Sequence, residues 1–546
     1  MILIKILFNG IIRTGVPGQG TAQAVAFEEG SPGRPGRIVA VGGDSDISAL
    51  GGPGTERIDL GGRLLLPGFI DSHMHMAVTG HHMEQLKLNG VKSRGELVAR
   101  ARAYIEEKRL PEGEWLEGIG FNQEEFDVPD MPDAALADEI SRNHPIILIR
   151  QCYHVAVANS AAISKIDPSS GYPGAERDAS GRLTGVFRER GMGLLFGLRP
   201  APSRGEIERR ILSAAEKAVR TGLTSVHSID LVRNADREST LGVFQSLARE
   251  GRLPLRVCEG FSPHSPEFLS EFLEREEWRT PTPFFKLGFV KLVADGSLGA
   301  RSACLREPYS DAPETRGKAN FTQEELEAYV SAAHAAGRQI AVHAIGDAAL
   351  EQVLRAMEKI EKSAAGPLSV RGLRHRVVHM MTGDLSQYER AGRLGLCADI
   401  QPAFLLHHFT MSGRLGPRTE TAYAWKTLLD LGISLGGGSD SPIDTFDPLF
   451  GIYCAVTRQD RNGSPEGGHT PGQRLTVEEA VKLYTSGSAR LAFEENEKGT
   501  VEPGKLADFA VLTRDIFTVP PREILETRAA MTWVDGKLAF LDLESS

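Results

Sequence analysis

Two histidines one residue apart, His73 and His75, close the stretch LLLPGFIDSHMH, an apolar run interrupted at Pro67-Gly68 with Asp71 just before the pair. Side chains two apart on a β-strand point to the same side. Both imidazoles can therefore address one point, as two ligands of one metal ion must. Histidine and carboxylate are ordinary ligands for zinc, iron, manganese or nickel. One His-x-His pair is weak support among 15 histidines, and the doublets His81-His82 and His407-His408 show that clustering occurs elsewhere. The signal is recurrence. His343 ends the run IAVHAIGD, His379 ends RVVHM, Asp440 ends LGGGSD and Lys291 lies near the end of VKLVADG. His343 taken alone reads equally well as a hydrogen-bonded core residue.

The elements that carry these residues alternate. Strand-like runs occur at 67–75, 224–230, 254–260, 286–296, 338–346, 374–380, 395–402 and 432–440, and helical patterns such as TQEELEAYVSAAHAAG lie between most of them. Strand–helix alternation means βα units and a parallel sheet, and eight such units make a closed (β/α)8, TIM-like barrel in an α/β fold. Active sites of that fold sit at the C-terminal ends of the strands. The candidate residues fall on strands one, four, five, six and eight, all at that end. The gap between the first and second strands is too long for a structureless loop, so an inserted subdomain is expected at about 80–205. Short strands recur at both termini, among them ILIKILFNG, AQAVAFEEG, ADFAVLTRD and AAMTWVDGKLAFLD. They predict one small β-sandwich from residues 1–66 plus 485–546, around a barrel at 67–484. The opening MILIKILFNGII is broken by Asn9-Gly10 and is expected to be a two-strand hairpin, not a signal peptide.

Composition narrows the function. A formal charge of -10 and a pI near 5.9 argue against nucleic acid or an anionic membrane as partner. No apolar run reaches the length of a membrane span. The five cysteines are scattered without a Cys-x-x-Cys pair, which fits reduced thiols in a cytoplasmic protein.

The motifs PGFIDSHMH, VKLVADGSLGARSA, AVHAIGDAA, RHRVVHM, QPAFL, GGGSDSPIDTFDPLFGIYCAVTR and KGTVEPGKLADFAVL resemble the amidohydrolase superfamily of metal-dependent hydrolases. The resemblance is nearest to the branch containing N-substituted formamide deformylase. RQCYHVAVANSAAI and GRLTGVFRERG place the insert in the same branch. The resemblance implies that His73 and His75 hold one metal, His343 and His379 a second, and that Asp440 binds the first metal and acts as general base. Lys291 stands where some members carry a lysine carboxylated by CO2 whose carbamate bridges two metals; an ordinary lysine paired with a carboxylate such as Asp295 is the alternative. One or two Zn2+ ions are implied, with other divalent transition metals open, and so is cleavage of a C–N bond in an amide or N-substituted formamide by metal-activated water. Cyclic-amide hydrolysis, deamination and a catalytically silent, metal-binding regulatory role are the rival readings. The partner is a small-molecule amide, and a homodimer is compatible with this reading. Three further residues are candidates for substrate contact: His154 from the insert, with helix capping or packing as alternative; His227, at the end of strand two; and Arg301, with a structural salt bridge as alternative.

Overall fold

The structure is a computed structural model, described for residues 4–151, 155–167, 174–188, 190–232, 236–362 and 368–543. Eight strands form one parallel sheet that curls into the expected barrel. They are β1 (Phe69–Met74), β2 (Leu223–Leu231), β3 (Arg256–Phe261), β4 (Phe285–Val293), β5 (Gln339–Ala344), β6 (Arg376–His379), β7 (Cys397–Ile400) and β8 (Ser434–Gly437). Each pairs in parallel with its successor. Their side chains are almost all buried, the reason these strands read as continuous apolar runs.

The intervening helices present an apolar face to the sheet. In helix Asp347–Glu361, Leu350, Val353, Leu354, Met357 and Ile360 recur at helical spacing and are buried. Helix Gln323–Ala335 begins with a capping box between Thr322 and Glu325, and helix Leu385–Leu394 with one between Asp384 and Gln387 before stopping at left-handed Gly395.

Strands from both ends of the chain make two further sheets. One contains Ile4–Phe8, Ala24–Glu28, Ile38–Gly42 and Glu56–Asp59. The other contains Ile11–Ile12, Leu64–Pro67, Phe509–Leu512, Ala529–Val534 and Lys537–Leu541. Val25 and Phe27 of the first meet Leu65, Phe509 and Trp533 of the second in one core, with the Phe27 ring 5.3 Å from Phe509 and 5.4 Å from Trp533. Burying each of these large side chains contributes about 1.5–3 kcal/mol. The expected N-terminal hairpin does not form. Ile4–Phe8 pairs with Ala24–Glu28 and Glu56–Asp59, whereas Ile11–Ile12 pairs with Leu64-Leu65 in the other sheet. The chain crosses between sheets at Asn9, which has φ 54°, and at Gly10, where a Cβ would lie 2.5 Å from Leu60.

The described chain divides into two compact units, 1–80 with 204–546, and 81–203. The second has its own six-stranded sheet, in the order Ala175–Arg177, Leu183–Arg188, Val155–Ala158, Ile146–Arg150, Leu116–Phe121 and Leu86–Lys87. Leu97, Val98 and Ala101 of helix Arg94–Lys108 pack on Leu116 and Leu148 of that sheet. Within this unit Glu117 accepts from Arg199 at 2.6 Å and Gln85 at 2.9 Å and lies 3.2 Å from His81. Burial alone would push this carboxyl up, but His81 and Arg199 outweigh it and hold it at about 2, below its ordinary 4.5. Between those values the unfolded chain binds a proton here and the folded chain does not, so this stabilisation is complete above pH 4.5 and lost as the pH falls towards 2. Glu117→Gln is expected to lower the thermal midpoint at neutral pH and to flatten its decline between pH 4.5 and 2. An unchanged midpoint at neutral pH would show that the cluster adds nothing.

Among the described residues no helix is long and apolar enough to cross a membrane.

Candidate metal centre

The mouth of the barrel is organised by the meeting of its first and last strands. Asp440 N donates to His73 O at 2.7 Å and His75 N donates to Ser441 O at 2.9 Å. Asp71 braces both sides, its Oδ1 accepting from His73 N at 3.0 Å and Ser439 N at 3.1 Å. The approach is too close for side chains on β8 and just after it. A Cβ on Gly438 would lie 2.7 Å from His73 N, and one on Gly436 2.8 Å from Ser72 Cβ. Asp440 and His379 both take left-handed backbone angles, φ 56° and 73°. Non-glycine residues are held there at a cost of order 1–3 kcal/mol, and such outliers concentrate at functional sites.

Three of the histidines have one ring nitrogen fixed from behind. His75 Nδ1 lies 2.7 Å from the Ile229 carbonyl. His379 Nδ1 lies 2.6 Å from Gln401 Oε1, whose amide is oriented by Nε2 donating to Asp399 O at 3.3 Å. His343 Nε2 lies 3.1 Å from the Gly296 carbonyl and 3.4 Å from Asp295 Oδ1. A carbonyl oxygen only accepts, so each of these nitrogens carries the hydrogen and the opposite nitrogen of the neutral ring presents a lone pair. Backing of this kind is the usual support of metal-binding imidazoles.

The forward nitrogens converge. Nε2 of His73 and Nε2 of His75 each lie 3.2 Å from the same atom, Asp440 Oδ1. His73, His379 and Asp440 offer ligand atoms all within 4.8 Å of one another. The His343 and His379 rings are 4.4 Å apart, and His73 and His379 5.5 Å. Phe404 stacks on His379 at 5.9 Å and 15°. Burial, reinforced by Lys291, pushes His73 down to about 3 and His343 to about 4; burial likewise drives His379 well below its ordinary value. Burial would raise Asp440, but His73 and His75 overcome it and hold the carboxyl well below the usual range. Burial would also lower His75, but Asp440 outweighs it and raises this ring. Three imidazoles held neutral, a fourth turned to Asp440 and an ionised carboxylate around one point are a donor set that fits one or two divalent cations.

Lys291 on β4 is buried within electrostatic reach of Asp440 and Asp399, and burial outweighs both carboxylates to bring its ammonium down to about 8. Asp295 does not pair with it. That carboxylate accepts three backbone N–H groups, from Ile345 at 3.0 Å and from Cys304 and Gly346 at 2.8 Å, and so joins the loops that follow β4 and β5.

The remaining candidates are placed elsewhere or not described. His227 does not end its strand, because β2 runs on to Leu231. It is wholly buried, and its Nδ1 accepts from Arg376, the first residue of β6, at 3.2 Å. Arg301 is bound to Asp311 at 2.8 and 3.2 Å and does not join the group. His154 lies outside the described residues. Sequence reasoning passed over Gln401 and Phe404, although both stand in QPAFL directly after β7. It also passed over Asp399 and Arg376, an ion pair at 3.2 Å inside the barrel; an arginine at the head of the apolar run RVVH was the available signal.

Comparison with known proteins agrees with this geometry. The amidohydrolase family model matches residues 56–540. The chain is 34% identical over 497 residues to YtcJ of Bacillus subtilis (strain 168), provisionally named an amidohydrolase, covering 90% of this chain and 91% of that one. It is 24% identical over 552 residues to the N-substituted formamide deformylase of Arthrobacter pascens, covering 98% of each. A crystal structure from Pyrococcus horikoshii OT3, described as an uncharacterized metal-dependent hydrolase, superposes with a TM-score of 0.79 at 28% identity, covering 95% of this chain and 99% of that one. With histidines and a carboxylate gathered at the mouth of an eight-stranded barrel and a family match along nearly its whole length, the chain belongs to the amidohydrolase family.

Proposed function

We propose that the protein is a zinc-dependent hydrolase that cleaves the C–N bond of an amide or N-substituted formamide. The observation that carries this reading is the convergence of His73 Nε2 and His75 Nε2 on Asp440 Oδ1, each at 3.2 Å. His73, His75 and Asp440 would hold one ion. His343 and His379 would hold a second, with Lys291, as its carbamate, bridging the two. When bound, zinc would polarise the scissile carbonyl and acidify the attacking water. Asp440 is kept ionised by its two histidine neighbours, so its carboxylate is ready to accept the proton of the water and return it to the leaving nitrogen. Gln401 and Phe404 hold the His379 ring from its back and its face. The formamide substrate class draws on the name of the Arthrobacter pascens relative.

The test is turnover against a panel of N-formyl amines and simple amides, run before and after chelation and with zinc returned. Activity lost on chelation and regained with zinc is the expected result. Full activity in metal-free protein would overturn the proposal.

A further inference from the structure

β2 does not end cleanly. Ser228 pairs with Glu259 and Leu231 with Phe261, so three steps on β2 are matched by two on β3. The extra residue makes a bulge at Ile229-Asp230, and bulges beside active sites re-aim the groups they carry. Here the bulge brings the Ile229 carbonyl to His75 Nδ1, at 2.7 Å.

Two acidic side chains hold the bulge in this form. Glu259 is wholly buried, and its Oε1 accepts from Asp230 N at 2.6 Å and from Leu231 N at 3.3 Å. It supplies the acceptor that the interrupted ladder no longer provides. Asp230 works in the other direction. Its Oδ1 accepts from Ala77 N at 3.0 Å and from Val78 N at 3.4 Å, and its Oδ2 accepts from Ser228 Oγ at 2.6 Å, which in turn accepts from Met76 N at 2.8 Å. The N–H groups of the three residues after His75 are thus all bound to the bulge. Ring and following backbone of one histidine are both fixed by a segment some 150 residues away in the chain.

We propose that the bulged end of β2, held by Asp230 and Glu259, is a positioning device that fixes the orientation and tautomer of His75 and so sets metal affinity at the His73–His75–Asp440 group. The inference rests on the metal reading of that group. Asp230 and Glu259 are positioning residues; neither touches the point where the ligand atoms converge. Outer groups that orient a metal-binding histidine are typically worth 10- to 100-fold in affinity.

The probe is Co(II). The full-length chain is stripped with a chelator and titrated with Co(II), following the visible absorption bands. Asp230→Ala and Glu259→Ala are expected to weaken Co(II) binding by about 10- to 100-fold and to shift the bands, because the ligand geometry changes. Asp230→Asn and Glu259→Gln each keep an acceptor oxygen for the same N–H groups and are expected to restore both affinity and spectrum. A merely structural bulge would lower the thermal midpoint of the metal-free protein yet leave the affinity and bands of the folded protein unchanged. That outcome in Asp230→Ala overturns the proposal, and this variant decides the matter if Glu259→Ala fails to fold. A wild-type chain that takes up no Co(II) overturns the metal reading itself, and this inference with it.

Discussion

Asp440→Asn is expected to keep much of its metal while turnover falls by about 100- to 10,000-fold, roughly 3 to 5 kcal/mol in the barrier. Asparagine still offers an amide oxygen to the convergence of His73 and His75, but it has no carboxylate to take a proton. The left-handed φ of 56° at this position is tolerable for asparagine, which separates the chemical effect from a backbone one. His73→Asn serves as the contrast and is expected to lose metal and activity together, because it removes an imidazole 3.2 Å from Asp440 Oδ1. Metal content and rate measured on the same preparation decide the matter. Retained metal with a near-wild-type rate in Asp440→Asn would reduce Asp440 to a brace for the loop after β8.

Lys291→Ala is expected to lose the second metal and to slow turnover on the order of 100-fold or more, as for groups that act at the reacting centre. Burial brings the ammonium of Lys291 to about 8, so a substantial neutral fraction is present at mildly alkaline pH, and only the neutral amine adds CO2. The alanine variant leaves a space into which acetate or propionate can bring bridging oxygens, so added short carboxylates should partly restore rate and metal content. Full activity and unchanged metal in the variant would make Lys291 a structural residue and remove the carbamate from the proposal.

The barrel was legible because parallel strands covered on both faces are continuous apolar runs, and all eight were readable from RVVH, QIAVH and their counterparts. His73, His75, His343, His379 and Asp440 stood out because polar residues interrupt or end such runs. What stayed hidden depends on contacts between distant segments. Nothing near Asp230 or Glu259 in the chain announces that one takes the N–H groups of Ala77 and Val78 and the other those of the β2 bulge. His227 was misplaced for a related reason: Ser228 and Asp230 look like the end of a strand, yet they lie inside it and are buried by partners from elsewhere. At the N-terminus, Asn9-Gly10 carries the signal of a hairpin turn, and only the pairing of Ile11-Ile12 with Leu64-Leu65 shows that the chain changes sheets there.

The seam between β1 and β8 carries a consequence for the order of events in the life of the chain. The hydrogen bonds that join these strands at the barrel mouth are made by His73, His75, Asp440 and Ser441, three of them members of the proposed ligand group and the fourth its immediate neighbour. On the ribosome the histidine pair emerges early and its carboxylate partner only after the seven other barrel strands have been made. A nascent barrel therefore lacks the carboxylate of the His73–His75–Asp440 group until its last strand is made. Competence for metal at that group arrives with the closing of the ring, and an ion held across the seam would act as a clasp, so that its departure loosens the first strand from the last.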